Sequence, residues 1–160
     1  MRYTYSVVTL PEVLAAGISI QTDMQKAQTD CPALWQQFGP LMAQEMADHP
    51  YVLDGQSYGI SIMQNEQAFT YWAALGVKPD TTEDMLPTGV RLVRMAAGDY
   101  VQCTVPNLEQ IGSAYEELYS EWPATQHTHQ LDMSKPGFEA YQKNCDGSIP
   151  FALYAPLLKV

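Results

Sequence analysis

Glu139 is the residue whose type and setting point most directly to chemistry. In Phe138-Glu139-Ala140-Tyr141 an extended backbone puts Glu139 and Tyr141 on one face and Phe138 and Ala140 on the other. With Phe138 packed in a core, Glu139 projects into the opposite layer. A carboxylate withdrawn from water needs a partner or a role. A tyrosine beside it makes a cation site in which negative charge and ring faces act together. A glutamate on a solvated sheet face meets the same pattern, and pattern alone favours that simpler arrangement.

Other aromatic residues could complete such a site. Tyr154 alternates with Leu153 and Ala155 and faces away from Phe151, so it is expected on the same wall as Glu139. Tyr58, Phe69, Tyr71, Trp72 and Tyr100 lie on expected strands able to line a groove, with core packing the competing role for each. Trp35 and Trp122 sit on helical apolar stripes and read as packing residues. Glu66 is a second candidate carboxylate, but its turn position favours solvation. His127-Thr128-His129 would present two imidazoles together, without a third ligand at recognisable spacing, so no metal site is expected. Motifs for phosphate, dinucleotide or nucleophile-and-base chemistry are missing from the sequence. No catalytic residue and no cofactor is expected from motifs.

The elements that would position these residues follow from periodicity. Val13–Gln21 reads as a strand. Asp30 and Pro32 read as the start of a helix running Ala33–Ala47, with Leu34, Phe38, Leu41, Met42 and Met46 on one stripe. Gly39-Pro40 inside it predicts a kink or a split into two helices. Tyr58–Met63 and Ala68–Val77 read as a hairpin, with Phe69, Tyr71, Ala73 and Leu75 sharing one face of the second strand. After the acidic linker Lys78–Pro87, strand material returns over Gly89–Val105, broken near Ala97-Gly98. Asn107 with Gln110 forms a capping-box pattern. The helix behind it carries Leu108, Ile111, Tyr115, Leu118, Tyr119 and Trp122, and Pro123 ends it. A polar loop over Ala124–Gly137 leads to strands at Phe138–Lys143 and Ile149–Leu158. Each half reads strand, helix, strand, strand. This predicts an α+β domain with a mostly antiparallel sheet and a groove where the halves meet.

Composition narrows the partners. A chain of 160 residues that is 46% hydrophobic fits one domain with its own core. Net charge is −10 with eight Lys and Arg in total, so no basic stripe exists to neutralise phosphate. Direct DNA binding and adhesion to an anionic membrane are not expected, while the acidity attracts cations. Cys31, Cys103 and Cys145 are odd in number and far apart, which suits a reducing compartment. With neither a signal peptide nor an apolar run of spanning length, a cytoplasmic location is expected.

With these residues placed, the chain resembles the GyrI-like small-molecule-binding family, related to the effector-binding domains of AraC-type and MerR-type multidrug-sensing regulators of bacteria. The resemblance runs through Leu34-Trp35 and Phe38, Tyr58-Gly59, Tyr71-Trp72 to Gly76, and Ala97-Gly98-Asp99-Tyr100. It continues through Tyr119, Trp122-Pro123, Phe138-Glu139 with Tyr141, and Tyr154 with Pro156. Each piece is short; their order and spacing carry the likeness. Met95-Ala96-Ala97-Gly98 departs from the family's frequent Ile-Pro-Ala-Gly, and Gly137 stands where an Asp is common.

The resemblance implies one domain over residues 1–160, with repeats over about 1–80 and 86–160, duplicated strand–helix–strand–strand units and a central ligand cleft. It implies a small-molecule ligand, cationic and aromatic, held by a buried Glu ringed by aromatic side chains. Glu139 takes that role, with Tyr141 and Tyr154 as walls. It further implies a stand-alone binder without a helix-turn-helix, acting alone, as a homodimer or through a protein partner. Two other functions stay open: hydrolysis of strained cyclopropane-containing toxins in the same cleft, and modulation of gyrase or another protein.

Overall fold

The computed structural model of the chain describes residues 1–142 and 150–160. Among the described residues nine strands form: β1 (Thr4–Leu10), β2 (Val13–Asp23), β3 (Val52–Met63), β4 (Ala68–Val77), β5 (Arg91–Met95), β6 (Gly98–Val105), β7 (His129–Leu131), β8 (Gly137–Tyr141) and β9 (Phe151–Lys159). Two helices, α1 (Ala27–Leu41) and α2 (Ile111–Ala124), interrupt them. Eight strands lie in the order β1-β6-β9-β8-β3-β4-β2-β5, and β7 pairs with the end of β9. Every pairing is antiparallel. The fold is α+β, built from two strand–helix–strand–strand units, β2-α1-β3-β4 and β6-α2-β8-β9. They join at the β3–β8 pair in the middle of the sheet.

Two strands complete the sheet by exchange: β1, which the pattern did not signal, and β5, the first part of the strand material expected over Gly89–Val105. β1 precedes the first unit in sequence but pairs with β6 of the second, whereas β5 precedes the second unit and pairs with β2 of the first. β7 forms inside the segment read as a polar loop, where three residues suffice to extend β9. The last two expected strands begin and end close to their predicted positions, although Lys143, Cys145 and Ile149 lie outside the described residues. Among those described, Cys31 and Cys103 are free thiols.

Alternation decides what each face buries. Phe69, Tyr71, Ala73 and Leu75 of β4 pack with Leu34, Phe38 and Met46 of the first helical segment. Ala114, Leu118 and Trp122 of α2 pack with Val101, Cys103 and Val105 of β6 and Phe151, Leu153 and Ala155 of β9. On the opposite face no helix packs among the described residues. There Val93 and Met95 near one end of the sheet meet Tyr58, Ile60 and Phe138 of its centre and Tyr100 of β6. No helix among the described residues is long and apolar enough to cross a membrane.

The helix starts differ from expectation for identifiable reasons. α1 begins at Ala27, six residues before the expected Ala33, because Asp23 organises the entry: its carboxylate accepts from the backbone N–H of Gln25 and Lys26, each at 2.9 Å. Asp30 is inside the helix and accepts from the Thr22 hydroxyl at 2.8 Å. The helix passes Pro40 without splitting and then widens into a π turn over Met42–Met46. Gly39 eases that passage, since one of the two clashes that drive a residue before proline out of the helical region is with its Cβ. Asn107 makes no side-chain cap bond, and a 3-10 turn over Leu108–Gln110 precedes α2. Gln110 instead accepts from the Tyr3 hydroxyl at 3.1 Å.

Candidate functional site

α1 packs chiefly on β2 and β4, and α2 on β6 and β7. The central strands β3 and β8 therefore form the floor between the helices. Cross-strand partners share a face, and the register pairs Ser57 with Tyr141, Gly59 with Glu139 and Ser61 with Gly137. Four of these six floor residues are Ser or Gly. Their small side chains leave space above the floor, a trough that Glu139, Tyr141 and, over Gly59, the Tyr71 hydroxyl occupy.

Glu139 is 5% exposed. Its Oε1 accepts from the hydroxyls of Tyr141 at 2.6 Å and Tyr71 at 3.0 Å, and its Oε2 accepts from Tyr115 at 2.6 Å. Tyr71 in turn accepts from the Trp35 indole Nε1 at 2.8 Å. The network thus runs from α1 through β4 and β8 to α2. Trp35 meets Tyr141 edge-on at 5.8 Å, and Tyr119 stacks on Tyr115 at 6.1 Å with the planes 21° apart. Tyr119 is 38% exposed, so the aromatic cluster reaches the surface there.

The electrostatics are one-sided. Among the described residues, no Lys, Arg or His forms an ion pair with Glu139. A carboxylate offers about four lone-pair positions, and three are filled by neutral hydroxyls. Burial pushes the Glu139 pKa up, and the bonds from Tyr115, Tyr141 and Tyr71 pull against it. Burial and then the Glu139 charge push Tyr71 and Tyr115 well above the ordinary tyrosine value, so both stay protonated donors. Cys31, pushed up to about 12 by burial, Glu139 and Asp30, stays a thiol.

Of the residues singled out in the sequence, the structure brings Glu139, Tyr141 and Tyr71 together, with Phe69 in the adjoining α1 core. Tyr58, Trp72, Tyr100 and Tyr154 lie on the opposite face. The expected placement of Tyr154 beside Glu139 is overturned by register: Phe138 pairs with Tyr154 and Glu139 with Leu153. Tyr154 stacks on Phe138 at 4.8 Å and accepts from Gln102 Nε2, while the Tyr100 hydroxyl donates to the Ala96 carbonyl at 2.6 Å. Glu66 sits exposed in the β3–β4 turn, and His129, opposite Lys159 at the end of β9, lies 3.6 Å from Asp99 of β6.

Sequence reasoning missed Trp35 and Tyr115 as members of the network. Trp35 does pack against Phe38, as its stripe indicates, but its N–H is spent on Tyr71. Tyr115 and Tyr119 are spaced i, i+4 on α2, and two hydroxyl-bearing rings on one apolar stripe are a signal that could have found them.

A family model described as GyrI-like small molecule binding domain matches residues 3–157. Among solved structures, the protein SAV2435 bound to tetraphenylphosphonium superimposes with a TM-score of 0.76 at 19% identity, covering 97% of this chain and 94% of that one. An integron cassette protein from the mobile metagenome of Vibrio cholerae gives 0.68 at 12% identity, covering 98% and 97%. The EcmrR C-terminal domain gives 0.63 at 13% identity, with both chains covered completely. At these identities the likeness shows the fold. Comparison with curated proteins gives no match.

Proposed function

This chain belongs to the GyrI-like small molecule binding domain family, and we propose that its ligands are lipophilic organic cations, held in the trough between α1 and α2 with Glu139 as counter-charge. One observation carries the reading: a buried carboxylate bonded to three neutral hydroxyls and, among the described residues, paired with no cation. Such a group carries an uncompensated charge in a low-dielectric setting, and a delocalised cation neutralises it without needing hydrogen-bond donors of its own. The rings of Trp35, Tyr115, Tyr119 and Tyr141 supply apolar contact, and a cation over a ring face contributes about 0.5–2 kcal/mol. The neighbour SAV2435, solved with tetraphenylphosphonium, supports this class of ligand.

The test is a thermal-shift panel that sets quaternary ammonium and phosphonium ions against neutral molecules of matched size and hydrophobicity. Stabilisation by binding follows ligand concentration over Kd, so cations are expected to raise the melting temperature in a dose-dependent way while neutral partners do so much less. Equal shifts for matched cations and neutral molecules would overturn the assignment of Glu139 as counter-charge.

A further inference from the structure

β4 and β8 are not neighbours; β3 runs between them. Two strand spacings separate them, about 9–10 Å, yet the Tyr71 hydroxyl of β4 and the Glu139 carboxylate of β8 meet at 3.0 Å. They meet above Gly59 of β3, whose cross-strand partners are Glu139 on one side and Ala73 on the other. A Cβ built on Gly59 would overlap both the Tyr71 hydroxyl oxygen and Glu139 Oε1. Neither group has room to yield. Tyr71 is 2% exposed with its oxygen also held by Trp35, and Glu139 is tied from its other sides by Tyr115 and Tyr141. The glycine is not there for its backbone, because Gly59 is absent from the positive-φ glycines.

We propose that Gly59 is the positioning residue of the site, its missing side chain being the gap through which Glu139 reaches Tyr71 across the intervening strand. A methyl group at 59 pushes the carboxylate and the hydroxyl apart, removes one of the bonds that hold the charged form, and fills the bottom of the trough. The consequence for binding rests on the reading of Glu139 as ligand counter-charge. The contact itself does not.

The experiment is Gly59→Ala, read in two ways. Titration of the Glu139 carboxyl by carbon NMR, without any ligand, is expected to show its midpoint moving upward, because a donor to the charged form is lost. Tetraphenylphosphonium affinity is expected to fall about tenfold or more, because a displaced and more easily protonated carboxyl is a poorer counter-charge. A purely structural role would lower the melting temperature and leave the titration midpoint in place, and an unmoved midpoint in a folded Gly59→Ala protein overturns the proposal. If Gly59→Ala does not fold, Gly59→Ala combined with Tyr71→Phe decides. Removing the hydroxyl lets the carboxylate shift aside, so the double variant is expected to fold, and its failure would mean that β3 needs glycine for another reason. Failure of the parent protein to bind phosphonium would count against the ligand reading, while the Glu139 titration would still decide the role of Gly59.

Discussion

Ionising Glu139 works against the fold. Its folded pKa lies above the unfolded value because burial outweighs three hydroxyl donors, so the protonated form is the one the folded chain prefers. That contribution is complete below the ordinary glutamate range and is lost as pH rises through the folded value. Glu139→Gln keeps the shape and removes the charge; it is expected to raise the melting temperature at neutral pH and to leave it unchanged in acid. A chain of this size shifts by about 2–4 °C per kcal/mol, which scanning calorimetry resolves. Cation affinity is expected to fall on acidification through the same range, since proton and ligand compete for one carboxylate. Tyr115→Phe strips Oε2 of its donor, and a hydrogen bond to a charged acceptor contributes about 1.5–3 kcal/mol. The expected result is a lower denaturation midpoint at neutral pH and a smaller loss in acid, where Glu139 is neutral. Glu139 and Tyr141 were legible in the sequence because both sit on one strand with period two. Tyr115 and Trp35 were not, because their polar atoms reach Glu139 and Tyr71 only after distant elements have docked.

Elements behave according to what their small residues face. Gly17 of β2 lies opposite Ala74, and a Cβ there would run into the backbone of Ala73 and Ala74 on β4. Backbone in the middle of a sheet does not yield as a flexible side-chain end does. Gly17→Ala is therefore expected to destabilise by several kcal/mol, the overpacking extreme of core substitutions. Gly112 in the first turn of α2 meets nothing within 4 Å. Gly112→Ala is expected to stabilise by about 0.5–1 kcal/mol through helix propensity. Urea titration of the two variants checks both signs. The β3–β4 turn, the second half of β3 and the faces of β4 could be read from alternation alone, whereas β3 starts at Val52, six residues before the expected Tyr58. The start of α1 could not, since Asp30-Cys31-Pro32 imitates a helix entry that Asp23 in fact provides two turns earlier. Pro40 did mark a local irregularity, since the regular helix ends at Leu41 and a π turn follows over Met42–Met46.

At the scale of the molecule, two units share one sheet and exchange β1 and β5, so each half is completed by a strand preceding the other. The order of elements showed the duplication; the exchange was invisible because strand pairing between distant segments leaves no local periodicity. Net charge of −10 with eight basic residues sets the expectation that the chain does not bind duplex DNA, because phosphate contact would add repulsion. A gel shift at low salt, where charges are least screened, is expected to show no retarded band, and a band lost on raising salt would reveal a basic face built by assembly. The acidic surface attracts cations of every kind, so surface charge alone could imitate a cation site. Glu139 is the discriminating residue. The most direct measurement is therefore a calorimetric titration of a quaternary ammonium dye and its uncharged analogue into the parent protein and into Glu139→Gln. The dye is expected to bind the parent at least about tenfold tighter than its analogue, a difference of about 1.4 kcal/mol, and Glu139→Gln is expected to erase that preference. A folded Glu139→Gln protein that keeps the full preference would contradict the account.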